Sequence, residues 1–253
     1  MSRKILLSFG IVVMAVGLCF AEDTKLEFEG RYWVTDLNAK AKVVKSEIGS
    51  DFDFKSDLGV ADEDFPEARV IWNTTKNSQI RLAYTQVAYS GHKDIETTIQ
   101  FAGQSYTLGT RVDSDFDLQY LRLGWIWKFM NMADDKIRLG LLVEAKGLLA
   151  DISLKAPVLS ISESEQVLGG LPTIGAVLDI NPMKKLNLFA EISGIGAGNL
   201  GYFFDAEAGA KIILFKNFSV AAGYRIIDVK IESSPDFLKA RLTGPFARAT
   251  LRF

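Results

Sequence analysis

The 253-residue chain carries one cysteine, Cys19, one histidine, His92, and only six prolines. Past Cys19 there is no thiol, which excludes disulfides, thiolate metal centres and a cysteine nucleophile from the rest of the chain. An excess of either charge sign is also missing: charged residues make up 24% and the net charge is -2. That balance offers no basic surface for nucleic acid and no polybasic membrane contact. Beyond residue 18 no apolar run approaches the roughly 20 residues of a membrane-crossing helix. Six prolines beside 21 glycines suit long, fully hydrogen-bonded strands, because proline cannot donate to a ladder and glycine permits bends.

What is present begins with a leader. Ser2-Arg3-Lys4 precede an apolar run at 5–18, then Cys19-Phe20-Ala21 and the polar Glu22-Asp23-Thr24-Lys25. This is the layout of a secretory signal peptide, with small Ala21 at the expected cleavage point. Bulky Leu18 stands where a lipoprotein signal needs a small residue, so lipidation of Cys19 is not expected. The expected organisation is a cleaved segment 1–21 and one domain, 22–253.

From Lys25 onward the period is two, the signature of strands with one buried and one contrasting face. Leu26, Phe28, Gly30 and Tyr32 alternate with Glu27, Glu29, Arg31 and Trp33. Further segments start near 68, 80, 114, 137, 174, 186, 202, 218 and 246, which predicts ten strands, with eight or twelve as alternatives. Segment 39–45 could add a hairpin. Connections near 76–77, 130–135, 181–185 and 216–217 are tight, whereas those near 36–65, 91–113, 151–166 and 233–239 are long; 196–200 is a short exception. Tight turns at one end and long loops at the other fit an all-β, closed antiparallel transmembrane barrel, with periplasmic turns and termini and extracellular loops.

Alternation alone does not separate this from a soluble barrel. The aromatics do. Trp72, Trp125, Trp127, Phe129, Tyr202, Phe204 and Tyr224 share the apolar face, too heavy a load for a small interior. Facing lipid, they form girdles near the strand ends. The last segment sets Ala247, Ala249, Leu251 and Phe253 against polar partners. This terminus resembles the signal read by the outer-membrane assembly machinery, and the chain resembles small outer-membrane β-barrel proteins of the OmpX and OmpW type. The resemblance implies that machinery, outer-membrane lipid and lipopolysaccharide as partners. It supplies no alignable residues, and nothing in the sequence specifies an oligomeric state.

The opposite face collects charge: Glu29, Arg31, Arg69, Arg81, Arg122, Arg138, Glu144, Lys146, Glu191, Asp205, Glu207, Lys211, Arg225 and Arg248, with Glu27, Lys128, Asp179 and Arg252. Charges at membrane depth must pair or meet water, so this set predicts an ion-paired plug or a narrow path that favours anions. His92, at the rim of a loop beside Ser90 and Asp94, is the one candidate catalytic base, for a surface hydrolase. The motif of lipid A deacylases and the acids of omptins are absent. Asp51, Asp53, Asp57, Asp62, Glu63 and Asp64 make the first long loop acidic without calcium-loop spacing, and Phe52, Phe54 and Phe65 among them could fold it over the mouth. Gly194-Ile195-Gly196 sits in strand context, not in a nucleotide-binding unit. The expectation is a non-enzymatic barrel that stabilises the envelope or presents loops, with no metal and no cofactor.

Overall fold

The computed structural model describes residues 25–42, 50–94, 99–101, 104–106, 109–134, 136–156, 161–233 and 235–253; the expected signal peptide lies outside the described residues. The strands, in order, are β1 (Lys25–Trp33), β2 (Asp36–Lys42), β3 (Asp51–Asp53), β4 (Phe65–Asn73), β5 (Ser78–Asp94), β6 (Ile99–Phe101), β7 (Gln104–Tyr106), β8 (Arg111–Met132), β9 (Ile137–Ala156), β10 (Ile161–Met183), β11 (Leu186–Gly196), β12 (Gly201–Phe215), β13 (Phe218–Ser233) and β14 (Asp236–Arg252). β1, β4, β5 and β8 to β14 form a closed antiparallel barrel of ten strands, the expected number. Closure is the pairing of β14 with β1, through Phe28 opposite Leu251 and Gly30 opposite Ala249. The Phe253 amide donates to Leu26 O at 2.8 Å, and its ring meets Phe28 edge-on at 5.8 Å. The chain terminus is thereby sewn into the seam.

Several expected boundaries shift. The segments expected as long loops at 91–113, 151–166 and 233–239 are largely strand: β9 and β10 stay paired to Ala156 and Ile161, and β13 and β14 to Ser233 and Asp236. Within 36–65, β2 carries on the line of β1 after a break at Val34-Thr35, pairs with β14 on one side and with β3 on the other. β4 begins at Phe65, three residues before the expected start. The turn expected at Asn181-Pro182 falls after Met183, and Pro182 sits inside an irregularity of the β10–β11 ladder between Ile180 and Met183. Proline is tolerated where a ladder is interrupted.

These strands outrun a bilayer because their faces change partner along their length. In the half of β9 nearest the tight turns, Leu139, Leu141, Val143 and Ala145 point outward, and Glu144 and Lys146 are buried inside. Past Gly147 the apolar side moves inward: Ala150, Leu154 and Ala156 are buried while Asp151 and Lys155 face out. β8 does the same, with Leu121, Leu123 and Trp125 exposed in one half, and in the other Val112 buried between exposed Arg111 and the outward Asp113. The turn-side half has the pattern of a membrane barrel and the loop-side half that of a water-soluble one. An inner wall read as polar throughout is therefore polar only in the turn-side half.

Two facing glycines allow the interior to hold large rings. Gly209 lies opposite Gly223; an added Cβ would sit 2.7 Å from the ring tip of Phe189 at the first and of Phe246 at the second. Replacing Gly223 by valine should destabilise the barrel by about 1–3 kcal/mol through overpacking, seen as a lower temperature for loss of the compact gel-migrating form. Gly147→Val, where an added Cβ meets nothing within 4 Å, should leave that temperature unchanged. Equal behaviour of the two variants would contradict this account.

Candidate functional site

The charged residues of the turn-side half meet across the interior. Glu67, from β4, is the hub. Its carboxylate accepts from Arg122 at 2.6 Å, Arg69 at 2.9 Å and Arg225 at 3.3 Å, and lies 3.6 Å from Arg31. Arg225 also grips Asp205 with two bonds, at 3.0 and 2.8 Å, and Lys146 shares that carboxylate at 3.0 Å. Arg31 reaches Glu207 at 2.8 Å; Arg81 joins Glu144 at 3.1 Å to Glu191 at 2.8 Å; Arg69 reaches Glu29 at 3.1 Å; and Arg248 lies 3.5 Å from Glu207 and 3.6 Å from Glu29. Apart from Glu191, these side chains are at most 7% exposed.

Aromatic rings cover the network's cations. Arg225 lies 5.0 Å from the Trp33 ring centre, Lys146 4.6 Å from Phe203, Arg31 4.4 Å from Phe246 and Arg248 4.1 Å from Phe189. A ring face stabilises a cation without competing for its hydrogen bonds. Arg138 and Lys211 stand apart from this cluster. They line, with Lys128 and Arg252, a polar cavity of about 480 Å³ at the tight-turn end, where Lys128 pairs with Asp179 at 2.6 Å and Arg252 with Glu27 at 2.7 Å.

Sequence reading missed Glu67. Neighbouring Pro66 breaks the look of a strand, yet Phe65, Glu67, Arg69 and Ile71 all turn inward and are buried, an alternation that was there to extend. On the outer surface, Trp72, Trp125, Trp127, Phe129, Tyr202 and Tyr224 are all exposed. The tyrosines toward the loops point their hydroxyls at polar groups: Tyr32 to Asp64 at 2.5 Å and Tyr202 to Asp228 at 2.9 Å. Such residues sit with the ring in lipid and the hydroxyl in the interface.

The first loop folds into the mouth. Phe52, Phe54, Leu58 and Val60 are 2–4% exposed and join Trp33, Leu37, Phe65 and Tyr89 in one apolar cluster. Its acids shape the loop. Asp53 accepts the Lys55 and Ser56 amides, both at 2.9 Å, and Asp62 accepts the Leu37 amide at 2.7 Å. Lys55 bridges Asp36 at 2.5 Å and Asp62 at 2.7 Å. Among the described residues no group of histidines and acids is arranged to hold a metal. His92 lies on the outer face of the rim, 61% exposed, with Nδ1 2.9 Å from Asp113 on β8; its partner is the cross-strand Asp113, not Ser90 or Asp94.

Partial burial would raise the Asp62 carboxyl, but the Leu37 amide and the Lys55 ammonium outweigh it and hold the group below its usual range. Burial opposes the charge on Lys55 too, and the Asp36 and Asp62 carboxylates more than offset this and raise it. A lowered carboxyl stabilises above its unfolded value and stops doing so as pH falls through the lowered one; a raised lysine stabilises until pH rises through the raised value. The latch should hold from about pH 5 to 8, since both values lie outside that window. Amide resonances of 53–62 should keep their positions there and move only in stronger acid; movement already by about pH 6 would refute the latch.

Apolar and aromatic outside, charged within and closed edge to edge, the turn-side half defines a transmembrane β-barrel of the outer-membrane type. The chain matches no known family model and no curated protein. It is similar in structure to the outer membrane protease OmpT of Escherichia coli, with a TM-score of 0.60 and 9% identity over 90% of this chain and 97% of that one. Looser likenesses are Ail, the attachment invasion locus protein of Yersinia pestis, in complex with the heparin analogue sucrose octasulfate (TM-score 0.40, 11% identity, 89% and 99% covered), and Neisserial surface protein A (TM-score 0.37, 12% identity, 91% and 97% covered). What the chain shares with OmpT is the outer-membrane barrel fold.

Removing charge from the hub should expose its role. Glu67→Gln leaves Arg31, Arg69, Arg122 and Arg225 short of a carboxylate and should cost about 3–5 kcal/mol of barrel stability, measured by urea unfolding in micelles. Glu232→Gln, whose partner Lys230 is a 37% exposed surface residue, should cost under about 1 kcal/mol. A loss for Glu67→Gln no larger than that for Glu232→Gln would remove Glu67 from its place as hub.

Proposed function

We propose that the protein is a non-enzymatic integral outer-membrane barrel with a closed lumen, which reinforces the envelope and presents its loop-side end at the cell surface. The observation that carries this reading is the ion-pair network centred on Glu67, whose buried members reach across the barrel from β1 to β12 and from β5 to β11. A solute would have to separate pairs whose side chains are buried against one another, which is costly at this depth. Lipid and lipopolysaccharide would surround the apolar half, and Phe253 at the β1–β14 seam suits a terminus read by the assembly machinery. Tight turns and termini on one side and extended hairpins on the other favour a periplasmic and an extracellular end respectively.

The likeness to OmpT carries fold and not proteolysis. His92 is bonded to Asp113 on an exposed outer face, away from the interior, and among the described residues no hydroxyl is hydrogen-bonded to it. That geometry favours a surface hydrogen-bonded pair over a nucleophile-activating base.

A second reading, a narrow anion path, draws on the basic lining of the turn-end cavity by Lys128, Arg138, Lys211 and Arg252. Planar-bilayer recording of the refolded barrel separates the two. The closed reading expects no discrete unitary steps; reproducible anion-selective steps would replace it with the second.

A further inference from the structure

Between the charged network and the first loop the interior encloses a chamber of about 160 Å³. Arg31, Glu67, Lys146 and Arg225 form its floor, all engaged with one another's network, and Phe54 of the first loop roofs it beside Leu37 and Ala39 of β2. The walls include Leu148, Leu171, Phe203, Ile227 and Leu242. Nearly every atom facing the space is carbon. Water needs two to four polar partners to reside in such a place, and apolar cavities of this size, about 150 Å³, take up benzene-like molecules instead.

Small residues keep the space open. Gly169 lines it, and an added Cβ there would meet no atom within 4 Å; Ala240 and Ala150 occupy other wall positions. A core selected for stability alone would fill such positions, because interiors otherwise reach crystal-like density. The roof, in turn, is a loop held by the surface-exposed Lys55 bridge to Asp36 and Asp62 and by Thr35 on Glu63 O at 2.6 Å. It is seated as well by the β2–β3 ladder, the Val60–Gly91 bridge to β5 and its buried Phe52, Phe54, Leu58 and Val60, so opening lifts it off β5 and out of that cluster while the ladders between barrel strands stay paired.

We infer that the chamber is a binding site for a small, uncharged, apolar molecule of about the size of benzene or toluene, admitted from the loop end. The floor ions are already ion-paired, with only Nε and Nη1 of Arg31 left without a hydrogen bond, so a charged head group would be desolvated for little return. The site goes beyond the closed-barrel reading and stands whether or not the barrel conducts. It makes the loop-side half a receptor for a hydrocarbon-like ligand.

The test is methyl NMR of the full refolded chain in micelles, titrated with toluene and separately with benzoate. Methyls of Leu37, Leu171 and Leu242 should shift in a saturable way with toluene and stay still with benzoate. Leu123, on the lipid face, should drift linearly as toluene enters the micelle. Gly169→Leu, which fills the chamber, should weaken the apparent affinity at least about tenfold, or 1.4 kcal/mol, with urea stability retained. Ala240→Leu supplies the same blockade should Gly169→Leu fail to fold. Chamber methyls that only follow Leu123, an affinity unchanged in the filled variants, or an equal response to benzoate would each overturn the site.

Discussion

The structure depends on one carboxylate held among four guanidinium groups. Glu67 cannot be bare in the interior, and neither can Arg31, Arg69, Arg122 or Arg225; Glu67 is the carboxylate they share, and Glu207, Glu29 and Asp205 supply the rest of what offsets their desolvation. Strands β1, β4, β8 and β13 supply the four arginines, and Asp205 and Glu207 on β12 extend the set. A network that binds five strands at one height fixes the barrel's cross-section. The rings of Trp33 and Phe203 then cover the cations from the side of the chamber, so the boundary between charge and hydrocarbon is abrupt.

That boundary follows from what lies outside the wall. Next to lipid the outer face must be apolar, which leaves the inner face as the place for polar side chains. Where the wall stands in water the preference reverses, and the inner face becomes a core. β9 changes over at Gly147 between Lys146 and Leu148, and β8 between Arg122 and Leu118. Both changes fall at the same height, since Arg122 is paired with Lys146 across the ladder. The first loop closes the second core because an open-topped apolar barrel would expose it, and Phe52 and Phe54 are the plug.

Sequence legibility follows the range of the interactions. Tight turns, the girdle of Trp72, Trp125 and Trp127, and a terminal strand ending on Phe253 are local patterns, and they gave ten strands and a closed barrel. The inner charges were legible as a set because their alternation is local. Their partners were not: Arg31 meets Glu207 and Arg81 meets Glu191 across 176 and 110 residues, and no spacing encodes such a meeting. Glu67 was hidden by Pro66. The loop-side halves of β9, β10, β13 and β14 read as loops because a change of phase, from apolar-out to apolar-in, looks like an end of pattern when a single environment is assumed. His92 lies within β5 near its loop-side end, and its partner Asp113 lies on another strand, visible only through the β5–β8 register.

The two halves also explain each other's closure. The turn-end cavity is lined by charged groups and suits water; the chamber is lined by carbon and rejects it; the Glu67 network separates the two. An ion entering from the turns meets a paired network and then a hydrophobic space in which it has no ligands. A hydrocarbon entering from the loops meets the network as a floor it cannot solvate. In the closed-barrel reading proposed above, each solute class is stopped at the same layer for the opposite reason, and the layer that sets the barrel's shape also limits what each end can admit. Residence on one side, rather than passage from side to side, is the behaviour this arrangement favours.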